Sequence, residues 1–228
     1  MLVLSWNLFH GRAVPDEPRA LLDEFSARLA SWDWDVALLQ EVPPWWPPRL
    51  GAACAASART ALTSRNWLLP LTRRLADLRP DLVKSWGGGA NAILVRGQTI
   101  MEHRWQTLRR WPERRVVHGV RVEDGCWVSN LHAQAHSEAR AQSDVASAAS
   151  SALAWAGRAP AILAGDMNTR HPVAPGFAPA ASHGVDHILI RQLDVAAPGR
   201  TLDGGPLSDH VPILADVRPR KDRHPEAS

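Results

Sequence analysis

Five short apolar segments of this chain are each joined to a cluster of acid, amide or imidazole side chains. The clusters are Trp6-Asn7, Gln40-Glu41, Asn130-Leu131-His132, Gly165-Asp166-Met167-Asn168 and Leu207-Ser208-Asp209-His210. Short apolar runs bounded by polar residues are typical of buried strands. Polar side chains at the ends of several such strands can meet at one edge of a sheet, as the groups of an active site do. The pattern therefore predicts a β-rich fold with one site built from distant parts of the chain.

Apolar patterns along the chain predict strands and helices in mixed order. Strands are predicted at 2–7, 35–41, 91–96, 161–164, 185–190 and 211–217, with a hairpin of 114–122 and 125–131 around Glu123-Asp124-Gly125. Helices are predicted at 17–32, 52–79 and 137–155, the last with Ser137 as N-cap, whereas 43–48, 87–89 and 171–182 are predicted to be loops or turns. Hairpins that interrupt the strand–helix alternation favour a mixed sheet with helices outside it over a purely parallel fold.

The chain of 228 residues carries no internal repeat and no linker, so we expect a single domain over 1–218. The charged residues 219–228 are predicted to form a disordered tail. No apolar run approaches the length of a membrane span. The N-terminus lacks the basic region of a signal peptide, and Cys54 and Cys126 show no disulfide or metal-knuckle spacing, so a reduced, cytoplasmic protein is predicted. The oligomeric state stays open.

The net charge of +3 permits a polyanionic substrate but does not by itself argue for one. The densest basic run consists of Arg109, Arg110, Arg114 and Arg115, and a solvated face is its simplest interpretation. Arg114 or Arg115 is kept as a candidate phosphate contact. The pair Trp45-Trp46 is expected to pack against a sheet edge, with a membrane interface as the alternative.

Several polar pairs have the chemistry of a metal-assisted site, although each alone also fits an ordinary structural role. Glu41 and Asp209 would supply the two carboxylates that a hard dication such as Mg²⁺ or Mn²⁺ prefers. Asp166 and Asn168, two apart on an extended segment, would face one substrate, or else form a simple Asx turn.

The histidines of the chain divide into candidates for chemistry and residues expected in structural roles. His132 ends a strand beside Asn130, and His210 follows Asp209 directly. Asp186 can hold the far nitrogen of a histidine and so set its tautomer. His103, His118, His183 and His187 are predicted to be structural.

With these residues in this order, the chain resembles the endonuclease/exonuclease/phosphatase superfamily over residues 2–217. Gly165-Asp166-Met167-Asn168 and the run from Leu207 to Pro212 are its most specific pieces. The resemblance implies a four-layer α/β/β/α sandwich of two mixed β-sheets flanked by helices. It also implies hydrolysis of a phosphoester that depends on Mg²⁺ or Mn²⁺.

The resemblance also implies a role for each matching residue. Glu41 is similar to the principal metal ligand, with Asn7 and Asp209 close to the metal or its waters. Asp166 resembles the residue that orients or deprotonates the attacking water, and Asn168 the one that stabilises the phosphoryl oxygens. His210, paired with Asp186, would contact the phosphate. His132 matches the second histidine of the deoxyribonuclease-like and sphingomyelinase-like branches; its acidic partner is unassigned, with Glu102 or Asp81 as candidates.

Three hypotheses about function follow from these motifs. The leading one is a phosphodiesterase acting on nucleic acid, endonuclease- or exonuclease-like. The second is a phosphatase or phosphodiesterase of a lipid head group or a small phosphorylated metabolite. The third is a binding module that keeps the fold without turnover, which the complete set of polar groups disfavours.

Overall fold

The computed structural model describes residues 1–63 and 89–220. Within this part the strands, in chain order, are β1 (Leu2–Asn7), β2 (Val36–Val42), β3 (Ser57–Leu62), β4 (Ala90–Val95), β5 (Ile100–Arg109), β6 (Arg115–Val122), β7 (Trp127–His132), β8 (Ala161–Asp166), β9 (Ala178–His183), β10 (Asp186–Arg191), β11 (Leu193–Thr201) and β12 (Ile213–Pro219). The α-helices of the same part are α1 (Leu22–Ala30), α2 (Pro47–Ala53) and α3 (Glu138–Ala156), and a short 3-10 helix spans Phe9–Gly11.

The strands form two mixed sheets of six strands each. The first sheet has the order β11-β12-β1-β2-β4-β3, and the second has the order β5-β6-β7-β8-β10-β9. Each sheet has one parallel pair at its centre, β1–β2 in the first and β7–β8 in the second, while the remaining neighbours are antiparallel. The carboxyl ends of two parallel strands lie at the same edge of a sheet, so each sheet presents two strand ends side by side.

Three apolar layers hold the sheets and helices together. Between the sheets, side chains such as Val3, Leu38, Val128 and Ile162 are fully buried. α1 and α2 cover the outer face of the first sheet, and α3 covers the outer face of the second. The result is the four-layer α/β/β/α sandwich that the family resemblance implies.

Most of the predicted central elements are confirmed with small changes at their ends. The hairpin around residues 123–125 forms between β6 and β7. Ser137 caps α3, since its side chain accepts a hydrogen bond from the Arg140 backbone N–H. The helix predicted at 17–32 is shorter, because α1 covers only Leu22–Ala30.

The strands that sequence reasoning missed are the four edge strands β3, β5, β9 and β11. The helix predicted at 52–79 is wrong at Ser57–Leu62, which is β3, and its part from 64 onward lies outside the described residues, as do most of 87–89 and the tail from 221. The loop predicted at 171–182 is wrong where β9 begins at Ala178. Most side chains of these edge strands are exposed or half-buried, so the strands lack the apolar run that marks a central strand.

The proline-rich segment 43–48 was predicted to be a stiff loop, and this is wrong at its end. Pro47 and Pro48 occupy the first positions of α2, where a missing backbone N–H costs nothing. Trp46 is buried, and its ring lies 5.6 Å from that of Phe25 in α1. The pair Trp45-Trp46 therefore packs against the helical layer of the first sheet, as part of its core.

Two further expectations concern compartment and membrane. Cys54 and Cys126 are both free and buried. Within residues 1–63 and 89–220, no helix has the length and apolarity that crossing a bilayer requires.

Candidate active site

Polar side chains from both sheets meet where the two parallel pairs end. Asn7 ends β1, His132 ends β7 and Asp166 ends β8, and His132 and Asp166 are register partners. Asp186, at the start of β10, is the antiparallel partner of Asp166. The amide of Asn7 donates to Asp166 Oδ2 across the gap between the sheets at 3.0 Å. Sheet pairing therefore assembles groups that are far apart in the chain.

Glu41 reaches the same place through an irregularity in β2. The pairing of β2 with β4 shifts between Leu39 and Val42, and Glu41 lies in that interval with φ of 50°. The Asn130 side chain, from the opposite sheet, donates to the carbonyls of Leu39 and Ala92 at 2.9 Å each. A bulge of this kind re-aims one side chain, and here Glu41 lies with its Oε1 3.7 Å from His132 Nε2.

Asp166 is the central buried carboxylate of the site. Its Oδ1 accepts the Asn168 backbone N–H at 3.0 Å, and its Oδ2 lies 3.4 Å from His132 Nε2 and 3.8 Å from His210 Nε2. Burial and the charge of Asp186 raise the pKa of Asp166 to about 6, although His210 and its hydrogen bonds favour the ionised form. A carboxyl with a pKa of about 6 can release or accept a proton close to neutral pH.

His210 is held by Asp186. Nδ1 of His210 lies 2.7 Å from Asp186 Oδ2. Burial alone lowers the pKa of His210, but the hydrogen bond and the charges of Asp186, Asp166 and Asp209 raise it to about 9. The imidazole is therefore cationic at neutral pH, and its Nε2 side points towards Asp166.

His132 has the opposite charge preference. Its side chain is 7% exposed, and burial followed by the charges of Arg115, His10 and His210 lowers its pKa well below the ordinary histidine value. A neutral imidazole and an imidazolium thus flank the same carboxylate. Pairs of titratable groups pushed apart in this way are typical of active sites.

Arg115, kept as a candidate from the sequence, lies at the edge of this cluster. It is buried, its guanidinium donates to Glu113 at 2.6 Å, and its pKa is lowered by burial while Glu113, Glu41 and Asp166 oppose the shift. Its Nε is buried without a hydrogen-bond partner in the described part of the chain. The basic run is otherwise divided, since Arg109 binds Asp144 and Arg110 is exposed.

His10 belongs to the site and was missed by sequence reasoning. It lies in the 3-10 helix that follows β1, and its Nε2 is 3.0 Å from Glu41 Oε2. The available signal was its position three residues after Asn7, at the same strand end. A single histidine among ten gave no reason to select it.

One predicted geometry needs correction. Asn168 has φ of 49°, so the segment after Asp166 is an Asx turn and not extended; the Asn168 amide donates to the Ala133 carbonyl at 3.0 Å. Asp209 is exposed, and its carboxylate makes no hydrogen bond or ion pair with any described residue. The charge of Asp209 contributes to the raised pKa of His210, and its place near the metal stays a prediction.

The acidic partner suggested for His132 is not Glu102. Glu102 binds Arg121 and Arg104 instead. Asp81 lies outside the described residues. Among the described residues, the carboxylates that face His132 are Glu41 and Asp166. Of the histidines predicted to be structural, His187 is held by Ser182 and Thr169, and buried His118 contacts His103.

Strained backbone is concentrated around the site. Phe9, His10, Glu41, Asn168 and Ser208 all have φ between 48° and 68°. Residues other than glycine adopt this region at a cost, and such costs are common where side chains must be aimed precisely. Ser208 is fixed by donating to the Asn7 carbonyl and by accepting from the His210 backbone N–H.

The donor atoms fit a divalent cation. Asp166, Asp186 and His210 offer ligand atoms within 4.8 Å of one another, and Asp186 Oδ1 is buried without a partner in the described ranges. However, the Asp186–His210 hydrogen bond already uses two of these groups. Glu41, with 21% of its side chain exposed, is the carboxylate better placed to receive an ion and a substrate.

Comparison with known proteins gives one family match. The model of the Endonuclease/Exonuclease/phosphatase family matches residues 4–210. No curated protein matches the chain.

Solved structures share the fold at low sequence identity. A functionally unknown conserved protein from Enterococcus faecalis V583 has a TM-score of 0.73 and 16% identity, covering 96% of this chain and 100% of that one. D. rerio TDP2 humanized by 14 mutations has a TM-score of 0.67 and 16% identity, with coverage of 96% and 98%. A mannosyl-6-phosphatase from Bacteroides thetaiotaomicron VPI-5482 has a TM-score of 0.65 and 15% identity, with coverage of 96% and 99%.

Proposed function

The chain belongs to the endonuclease/exonuclease/phosphatase family, as its motifs predicted, and from this premise we propose that it is a divalent-metal-dependent phosphoester hydrolase. Nucleic acid is the leading substrate, through its phosphodiester bonds. The observation that carries the proposal is the meeting of Asp166 with two histidines of opposite charge preference, His132 and His210. Phosphoester hydrolysis requires a base for water and donors for the phosphoryl oxygens, and this cluster supplies both kinds of group.

Asp166 is the proposed general base. Its pKa of about 6 leaves it mostly ionised at neutral pH while it remains basic enough to take a proton from water. The amide of Asn7 and the backbone N–H of Asn168 hold the two carboxylate oxygens in place. Water activated there would attack phosphorus in line with the leaving oxygen.

The remaining groups stabilise charge on the phosphate. The imidazolium of His210, oriented by Asp186, donates from Nε2 to a phosphoryl oxygen. Neutral His132 offers a second donor, and Asn168 keeps one amide hydrogen besides the one given to Ala133. Glu41 would hold Mg²⁺ or Mn²⁺, with Asn7 and Asp209 near the ion or its waters, and the ion would neutralise charge on the phosphoryl and leaving oxygens.

The substrate class has a second candidate. The structural neighbour from B. thetaiotaomicron is named a mannosyl-6-phosphatase, which supports a small phosphomonoester as the alternative to nucleic acid. A binding module without turnover would have no need for the complete set of carboxylate, amide and imidazole groups that meet here. The cytoplasmic location stays a prediction.

Hydrolysis of bis(p-nitrophenyl) phosphate tests the proposal. Protein stripped with a chelator should be inactive and should regain turnover with Mn²⁺. Asp166→Asn, Glu41→Ala and His210→Ala should each lose about a hundredfold or more of kcat. His183→Ala removes an exposed histidine and is the matched control, expected to keep full activity. Full turnover in the Asp166 and His210 variants would refute the site.

A substrate panel separates the two classes. Nicking of supercoiled plasmid without phosphate release from sugar phosphates supports the nucleic-acid hypothesis. Phosphate release from sugar phosphates without nicking of plasmid supports the phosphomonoesterase hypothesis. Tight binding of a phosphorylated ligand with no hydrolysis under any metal would support the binding module.

A further inference from the structure

Each carboxylate oxygen of Glu41 lies near the Nε2 atom of a different histidine. His10 Nε2 lies 3.0 Å from Oε2, and His132 Nε2 lies 3.7 Å from Oε1. His10 and Glu41 are similarly accessible, with 20% and 21% of their side chains exposed. His132 is nearly closed off from solvent, with 7% exposed. A ligand that arrives from solvent at Glu41 therefore meets His10 before it meets His132.

The backbone fixes His10 in this position. Leu8 N donates to the Gln40 carbonyl at 2.9 Å, which ties the end of β1 to the residue before Glu41. Gly11 N then donates to the Leu8 carbonyl at 2.7 Å and closes the turn. At Gly11, which has φ of 77°, a Cβ would lie 2.3 Å from the Trp46 ring, so the turn is packed onto the α2 layer.

The conformation at both residues is costly for their types. His10 has φ of 55° and Glu41 has φ of 50°. Residues other than glycine keep a left-handed backbone conformation only where the surrounding structure holds them in it. The 3.0 Å separation of their ligand atoms is the geometric result.

We propose that His10 and Glu41 form a mixed imidazole–carboxylate metal site that prefers first-row transition dications over Mg²⁺. This inference rests on the proposed metal-dependent function. Mg²⁺ takes oxygen ligands almost exclusively, whereas imidazole suits Fe²⁺, Co²⁺, Ni²⁺ and Zn²⁺. An imidazole nitrogen beside the carboxylate thus shifts the selectivity of the site towards these ions. His210 is a poorer nitrogen donor for an ion at Glu41, because its Nδ1 lies 2.7 Å from Asp186 Oδ2 and its Nε2 lies 3.8 Å from Asp166 Oδ2.

Mn²⁺ binding tests the ligand directly. The unpaired electrons of bound Mn²⁺ report a coordinated nitrogen in electron spin echo modulation. We expect a nitrogen signal in the wild-type protein that changes when histidine is labelled with ¹⁵N, and its loss in His10→Asn. Asparagine is chosen because it tolerates the left-handed backbone better than most residues. His132→Asn and His183→Asn should both keep the signal.

Competition gives the selectivity. The ratio of Co²⁺ to Mg²⁺ affinity, measured by displacement of Mn²⁺, should fall about tenfold or more in His10→Asn, while Mg²⁺ affinity changes little. Equal weakening of the affinity for both ions, with the nitrogen signal retained, would mean that His10 only orients Glu41, and would overturn the inference.

A wild-type protein that hydrolyses phosphoesters without a nitrogen signal overturns the inference alone. A protein that neither binds an ion nor hydrolyses any phosphoester overturns the proposed function as well. If the variant fails to fold, the labelled wild-type spectrum still decides whether a histidine is a ligand.

Discussion

At the scale of single residues, surroundings decide what each histidine can do. His210 is held as a cation by Asp186, whereas His132 is kept neutral by burial and by nearby positive charge. Both face Asp166, so one carboxylate has a charged and an uncharged partner. The residue type is the same, and the difference comes from which side chains the two sheets bring near each ring.

His118 provides a test of this dependence away from the site. Burial, and then the charge of His103, lowers its pKa from 6.5 to about 3. The unfolded chain takes up a proton near pH 6.5 while the folded protein does not, so the free energy of unfolding falls as pH drops through this window. Between pH 7 and pH 5.5, the fall in the free energy of unfolding measured by urea denaturation should be about 1 kcal/mol larger in wild type than in His118→Gln. An identical loss in His118→Gln, with exposed His183→Gln as the comparison, would contradict the prediction.

At the scale of elements, the hairpin of β5 and β6 presents exposed aromatic and basic side chains. Its tip carries Trp111, 79% exposed, next to exposed Arg110. The tip leads into Arg115, whose charge interacts with Glu41 and Asp166, so the hairpin lies beside the site. An exposed indole flanked by arginine suits a stacked base and the phosphate that follows it.

Removal of the Trp111 ring should affect long substrates only. Stacking on an aromatic ring contributes about 1–3 kcal/mol per base, so Trp111→Ala should weaken the binding of a labelled single-stranded oligonucleotide about tenfold. Fluorescence anisotropy measures this change, while turnover of bis(p-nitrophenyl) phosphate should stay as in wild type. Trp105, 60% exposed on the β5 strand of the same hairpin, provides the control variant Trp105→Ala. Equal losses in both variants, or none in either, would count against a nucleic-acid substrate at this hairpin.

At the scale of the whole molecule, polar bonds across the sandwich connect stability to the site. Asn130 in the second sheet accepts from Gln40 at 2.8 Å and donates to the carbonyls of Leu39 and Ala92 in the first. All these groups lie between the sheets, where water cannot replace a lost partner. The same bonds hold the β2 irregularity that aims Glu41.

Asn130→Ala should therefore lower both the stability of the protein and its metal-dependent turnover. Loss of three buried hydrogen bonds is expected to lower the free energy of unfolding by about 3 kcal/mol, and metal-dependent turnover should fall as Glu41 is released. Urea denaturation measures the first effect and phosphodiester hydrolysis the second. Ser129, the preceding residue, has a buried hydroxyl with no partner in the described residues. Ser129→Ala should change stability by less than about 1 kcal/mol, and a comparable loss there would refute the role of Asn130.

The sequence predicts the central strands, the capped helix α3 and the order of the polar clusters. These features are local, because a buried strand needs an apolar run and an N-cap needs one suitable side chain. The edge strands β3, β5, β9 and β11 were not readable, since a strand with one free edge tolerates polar and small residues. The start of α2 at Pro47 was misread because proline's cost depends on its position in the helix.

The site divides in the same way. The sequence by itself determined which residue types stand at the strand ends, including Asp166, Glu41 and His132, and in the loop before β12, where His210 lies. Only the tertiary structure decided that Asp186 binds His210, that Asn130 supports the turn at Glu41, that Asp209 is exposed, and that His10 faces Glu41. Distances and charge states between residues of different sheets depend on how the sheets pack. No pattern along one strand carries that information.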